Sequence, residues 1–226
     1  MDAWLAGRQF SGLTVFQQSP IIIFHVWGIL KDIAGEKDAR LVAIAESDSA
    51  LVNRARSGVP ASVKFFDDFV KMLDEIKPDA VIATTSNDRH LEILRECARR
   101  HIHFSTEKPM ATNAADAREM ARLAQATGIK LMVNYWNAWV PPTPSLVKHV
   151  RDGDVGPVRK IIVEYGHAGP KEIGVSEQFA AWLYDPLKNG GGAIMKAVVL
   201  SAAAADRLAA SLDSRDCLRI LPVRMT

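Results

Sequence analysis

The sequence predicts an α/β chain: a doubly wound parallel sheet, followed by an incomplete second domain of α+β type. Three observations carry this. From Leu41 to Asn134, short apolar runs alternate with stretches of helical periodicity, the pattern of a parallel sheet covered by helices on both faces. Small polar residues close several of those runs, as Thr84 to Asp88 closes Ala80-Val81-Ile82-Ala83. Near Trp139 the pattern stops at Pro141-Pro142-Thr143-Pro144, which reads as a stiff linker.

Residues 1–24 carry the weakest signal. Ile21-Ile22-Ile23-Phe24 suits a strand, and His25 to Leu30 suits the start of a helix ending near Gly35. Leu41 to Ala45 is a strand ending in Glu46. Ser47 or Asp48 can cap the next helix, which turns Leu51, Val52 and Ala55 inward and stops at Gly58. Val63 to Phe66 is a short strand. Asp67 or Asp68 caps a helix with Phe69, Val70, Leu73 and Ile76 on one face, and Lys77-Pro78 ends it. Ala80 to Ala83 is unbroken apolar sequence, as a strand buried on both faces requires. Leu91, Ile93, Leu94, Cys97 and Ala98 recur at helical spacing, and a strand from His103 to Thr106 follows. Thr112 or Asn113 caps a long helix that runs to Thr127 and stops at Gly128, before a strand from Ile129 to Val133.

The first domain therefore covers residues 1–137, and residues 138–226 begin a second one. Ser145 can cap a short helix ending at Gly153, and Val158 to Tyr165 reads as a strand with one face or an edge in water. The glycines at 190–192 mark a loop or a close approach. Residues 197–226 are rich in alanine and arginine and lack strand signals.

Composition excludes several function classes. A formal net charge of +2 with dispersed basic residues gives no reason to expect nucleic acid. Two cysteines, Cys97 and Cys217, make neither a CxxC metal pair nor a disulfide framework, so no metal site is expected. The longest apolar run, Ala197 to Ala205, is shorter than the roughly 20 residues a bilayer requires, so no membrane partner is expected. The start of the chain does not read as a secretory signal, and a cytoplasmic location fits.

Chemistry gathers where the predicted strands end. Strands joined by helical crossovers are parallel, so Glu46, Thr84-Thr85-Ser86-Asn87 and Glu107-Lys108 should share one sheet edge, the edge at which open α/β sheets bind ligands. A carboxylate at Glu46 can accept hydrogen bonds from an adenosine ribose and repels a 2′-phosphate, which favours NAD over NADP. The hydroxyls of Thr84, Thr85 and Ser86 and the amide of Asn87 can line the rest of a cofactor, although Asn87 or Asp88 also serves as a helix cap. The Gly-rich phosphate loop expected after the first strand is missing: Gly7 and Gly12 do not form G-x-G-x-x-G, and no glycine precedes Gly28 in the turn near Phe24. Without it a tight dinucleotide site is hard to build, and weak or lost NAD(H) binding is expected.

The Thr-Ser-Asn turn with His90, the strand-end Glu107-Lys108-Pro109 and the Thr112-Asn113 helix start together resemble the Gfo/Idh/MocA family of oxidoreductases. Asn134-Tyr135-Trp136, Gly156-Pro157-Val158 and Gly190-Gly191-Gly192-Ala193 resemble that family in the same order. The resemblance covers about residues 25–195. It implies a Rossmann-like first domain and a second domain with a large, mostly antiparallel sheet, through which such chains can form homo-oligomers. It implies NAD(P)-dependent dehydrogenation of a sugar, inositol or related alcohol. It gives Lys108 the catalytic position, touching substrate hydroxyl and nicotinamide, and places Glu46, Thr84, Thr85, Ser86, Asn87, His90, Glu107 and Lys108 around the cofactor. The family's aspartate after the glycine run is replaced here by Lys196, with no histidine a turn later. The alternative expectation is a non-catalytic small-molecule-binding or interaction protein of the same fold. Residues 1–24 and 197–226 depart from the family pattern, and a frameshift or truncation of the gene is the expected origin.

Overall fold

The computed structural model describes residues 10–16, 24–135, 143–156, 171–172, 174–175 and 177–191. Among these residues the chain divides into two compact units, residues 10–134 with 171–191, and residues 135–156. The first unit thus includes residues 171–191.

The first unit is built on one six-stranded sheet. Its strands are β1 (Phe10–Phe16), β2 (Ala39–Ala45), β3 (Lys64–Phe66), β4 (Ala80–Ala83), β5 (His103–Glu107) and β6 (Leu131–Asn134). They lie in the order β3-β2-β1-β4-β5-β6, and every neighbouring pair is parallel. The order reverses between β1 and β4, which opens a crevice beyond the carboxyl ends of those strands. The connecting helices are α1 (Phe24–Gly35), α2 (Ser49–Arg56), α3 (Phe69–Ile76), α4 (His90–Arg99) and α5 (Ala114–Thr127).

The strands expected from Leu41, Val63, Ala80, His103 and Ile129 all form, with boundaries shifted by a residue or two. The first strand is a correction: β1 lies at Phe10–Phe16, and Phe24 already opens α1. The expectation over residues 21–23 falls outside the described residues. Apolar richness alone pointed to Ile21-Ile22-Ile23, whereas β1 takes its place by pairing with β2 and β4, long-range contacts that no local pattern encodes.

Two apolar layers cover the sheet, and β4 shows how one strand feeds both. Val81 and Ala83 pack with Phe69, Met72, Leu91, Leu94, Phe104 and Met120. Ala80 and Ile82 point to the other face, with Val26, Leu30, Ile33, Ile44 and Ala55. All four residues are buried, so the strand carries no polar alternation.

Local chemistry fixes the helix ends. Asp48 accepts from the backbone N–H of Ala50 and Leu51, and Asp68 from that of Lys71. Asn113 accepts from the N–H of Asp116. Each such cap contributes about 1 kcal/mol. Gly128 closes α5 at φ 72°, a left-handed conformation that glycine adopts without a Cβ penalty.

In the second unit, α6 spans Thr143–Arg151, two residues ahead of the cap expected at Ser145. Two further helices, α7 (Glu177–Leu183) and α8 (Pro186–Asn189), belong to the first unit. The strand expected over residues 158–165, Lys196 and residues 197–226 lie outside the described residues. Among the described residues no helix is long and apolar enough to cross a membrane.

Candidate functional site

Parallel pairing brings the ends of β2, β4 and β5 to one edge. Ala45 ends β2 opposite Phe16 of β1, and Phe16 also pairs with Ala83, the last residue of β4. Ala83 in turn pairs with Thr106 of β5. Glu46, Thr84 and Lys108 therefore stand on the same edge, as expected. They do not form one cluster. Three strand spacings separate β2 from β5, about 14 Å at about 4.8 Å each. Glu46 marks one side of the crevice, and Lys108 the other.

Glu46 is only 4% exposed. Its Oε1 accepts from the Asp48 N–H at 2.7 Å, and its own N–H donates to the Phe66 carbonyl at 2.8 Å. The carboxylate is thus anchored at the start of α2 while standing at the end of β2.

The turn after β4 is polar and buried. Thr84, Thr85, Ser86 and Asn87 are each at most 6% exposed. Thr85 Oγ1 donates to the Ser86 carbonyl at 3.1 Å. The Asn87 amide donates to Oδ1 of Asn189 at 2.7 Å and to the Asn189 carbonyl at 3.2 Å. Asn189 Nδ2 donates to the Leu183 carbonyl at 2.7 Å. A residue 102 positions away therefore holds the amide that the sequence offered to a cofactor.

His90, expected among the cofactor contacts, follows this turn. It is fully buried at the start of α4. Nδ1 lies 3.1 Å from the Met110 carbonyl, and because a carbonyl only accepts, Nδ1 carries the proton. Burial lowers the imidazole pKa from 6.5 to about 4, against the opposing pull of nearby backbone at Met110, Thr85 and Pro109. The ring is neutral at ordinary pH and supports the Lys108-Pro109-Met110 turn from beneath.

That turn carries Lys108. Glu107, 5% exposed, ends β5 opposite Asn134 of β6. Its Oε1 accepts from Asn134 Nδ2 at 2.7 Å, and its Oε2 from the Lys108 N–H at 3.4 Å. Lys108 is partly buried. Desolvation holds its ammonium pKa below the usual lysine value, and the Glu107 charge opposes that shift. No ion pair of Lys108 forms among the described residues. A cation stripped of water without a full counterion is closer to releasing its proton than a surface lysine is.

The sequence reading missed the roles of Asn189 and Asn134. Asn189 has only its position before the glycines at 190–192 as a signal. Asn134 could have been found from register: if β5 and β6 are parallel neighbours, the residue ending β6 faces the one ending β5. Among the described residues no group of His, Cys, Asp and Glu side chains could hold a metal ion.

A parallel sheet in this strand order, with polar strand ends at its switch point, is the doubly wound fold of the Rossmann class. Residues 30–135 match the Gfo/Idh/MocA oxidoreductase family in its NAD-binding Rossmann fold. The chain is 28% identical over 133 residues to an inositol 2-dehydrogenase of Rhizobium meliloti, a match covering 59% of this chain and 39% of that one. It is 29% identical over 132 residues to a D-apiose dehydrogenase of Paraburkholderia graminis, covering 58% of this chain and 33% of the other. A solved structure of the aldose-aldose oxidoreductase from Caulobacter crescentus superimposes with a TM-score of 0.71 at 25% identity, over 88% of this chain and 57% of that one. The chain thus spans well under two thirds of the proteins it matches.

Proposed function

We propose that the first unit is the nucleotide-binding part of an NAD(P)-dependent oxidoreductase acting on a sugar, inositol or related alcohol. The observation that carries this reading is Lys108: a partly buried ammonium at the carboxyl edge, with no ion pair among the described residues, beyond the switch point from Glu46. The substrate class rests on the relatives, whose names are those of sugar and inositol dehydrogenases.

The residues fit a dinucleotide at its two ends. Glu46 suits the adenosine ribose and disfavours a 2′-phosphate, so NAD is the preferred form. Thr84, Thr85 and Ser86 suit the second ribose, and Lys108 the reacting end. The cofactor supplies the hydride acceptor when bound. The chain's own part is to orient the alcohol and to take its hydroxyl proton onto Lys108 Nζ in its neutral amine form, the form that the lowered pKa makes more populated. His90 holds the turn that carries this lysine.

The middle of the site fits less well. Residues 17–23, between β1 and α1, contain no glycine, so the backbone lacks the freedom that a close pyrophosphate contact needs. This favours a second reading, a protein of the same fold that binds a small molecule without turnover. Titrating the chain with NADH, followed by cofactor fluorescence, separates the two. The oxidoreductase reading expects weak but saturable binding, with a dissociation constant on the order of 0.1–1 mM. It also expects turnover of NAD with a polyol or sugar panel that falls at least ~100-fold in Lys108→Met, with NADH affinity kept. Low-micromolar affinity would show that another loop replaces the glycines. No saturable binding would overturn the oxidoreductase reading.

A further inference from the structure

The Glu107 carboxylate adjoins Lys108 in sequence and is buried beside it, yet the two side chains form no ion pair. Such a pair is the expected outcome for a half-buried lysine next to a buried acid, because each would relieve the other's desolvation. The geometry shows what prevents it. Asn134 ends β6 directly opposite Glu107, and the 2.7 Å bond from its Nδ2 engages Oε1. The other oxygen turns back toward the Lys108 backbone N–H, at 3.4 Å. The carboxylate is thus drawn toward β6 and its own main chain. From the helix side, His90 holds the Met110 carbonyl at 3.1 Å and fixes the far end of the same turn.

We propose that Asn134 is a positioning residue for Lys108: its amide ties the Glu107 carboxylate to β6, keeps it from pairing with the neighbouring ammonium, and so leaves that ammonium available to substrate. The inference rests on the role given to Lys108 above and adds the side chain that keeps it unpaired. A buried carboxylate must have a donor. Asn134 supplies one that carries no charge. An aspartate at position 134 would repel Glu107, and an aliphatic residue would release it. Among the described groups, Glu107 is the only charge found to act on Lys108, and the buried neutral His90 ring lies beneath the turn.

The test is the titration of Lys108 itself. It needs neither cofactor nor turnover, so it stands apart from the NADH experiment. The lysines of the full chain are reductively methylated with 13C-formaldehyde, and the dimethyl signal of Lys108 is assigned by its loss in Lys108→Arg. Its pKa is then followed by NMR in the unsubstituted chain, Asn134→Leu, Glu107→Gln and the double variant. Freeing the carboxylate in Asn134→Leu is expected to raise the Lys108 pKa by about one unit, the size of a new close opposite charge. In Glu107→Gln the value should fall below that of the unsubstituted chain, and adding Asn134→Leu should then change nothing. A purely structural Asn134 would not produce that dependence on Glu107. An unchanged pKa in Asn134→Leu, or an equal shift with and without Glu107, overturns the proposal. Should Asn134→Leu fail to fold, Asn134→Ala and Asn134→Ser take its place, and a Lys108 pKa that does not move in Glu107→Gln also overturns it.

Discussion

Replacing His90 with asparagine isolates the cost of keeping that ring neutral. Asparagine keeps an N–H donor near the position of Nδ1 but cannot titrate. In the folded chain burial lowers the His90 pKa to about 4, whereas the unfolded chain titrates near 6.5. Above pH 6.5 the ring is neutral in both states, so its titration costs nothing there. Between pH 6.5 and 4 the unfolded chain binds a proton that the folded chain refuses, so stability falls as pH falls through this window. At pH 5 the gap already open is about 1.5 units, which at about 1.4 kcal/mol each amounts to about 2 kcal/mol. The asparagine variant loses packing at every pH, and that constant penalty cancels when only the pH dependence is compared. Urea unfolding followed by tryptophan fluorescence at pH 7, 6 and 5 measures it. The unsubstituted chain should lose about 2 kcal/mol more than His90→Asn over this range. Parallel pH dependences, agreeing within about 0.5 kcal/mol, would refute the burial of a neutral ring beneath Met110.

Two further outcomes follow from the edge geometry. Asn189→Ala removes the side-chain acceptor of the Asn87 amide and the donor to the Leu183 carbonyl, and should cost about 2–4 kcal/mol in urea unfolding. A cycle with Asn87→Ala should show a coupling of about 1–2 kcal/mol, and additive effects would mean that α8 does not dock on this turn. Glu46→Ala should raise NADPH affinity relative to NADH about 10-fold if the carboxylate repels a 2′-phosphate, read by fluorescence titration of both. An equal change for both cofactors would mean that the carboxylate does not discriminate between them and serves the start of α2 through its bond to the Asp48 N–H.

The fold was legible wherever local signals agreed. Asp48, Asp68 and Asn113 all cap the helices assigned to them, because a cap needs one polar side chain at one position relative to an apolar stripe. The stripe Leu91, Ile93, Leu94, Cys97 and Ala98 is buried throughout, because helical periodicity sorts side chains by face. The Cys97 thiol shows the same sorting, its pKa pushed up by burial, as befits a core residue. β1 was not legible, since its place between β2 and β4 comes from pairings to distant strands. The candidate site split in the same way. Which edge holds Glu46, Thr84 and Lys108 follows from parallel strands alone. What each side chain touches does not, because the contacts of Asn87 and His90 reach 102 and 20 residues along the chain.

Those contacts narrow the part of the edge that is left for a ligand. A polar residue at a strand end invites a binding role, but a buried polar group must be satisfied whether or not a ligand is present. Asn87 is satisfied by Asn189, and the His90 Nδ1 by Met110. Ser86 differs: it occupies the N-cap position of the 3-10 turn at Asn87–Arg89, yet its side chain makes no capping bond. A serine in that position ordinarily caps. Its hydroxyl makes no capping bond, and it stands at the switch point, between Glu46 at one side and Lys108 at the other. The recognition proposed for this edge therefore draws on groups set well apart: a carboxylate fixed at the start of α2, the hydroxyls that follow β4, and the Lys108 ammonium. Such an arrangement suits a long, extended ligand that meets the sheet at several points, and it suits a small compact one poorly. With no glycine in residues 17–23, the affinity for such a ligand has to come from these separate ends rather than from a phosphate cradle between them.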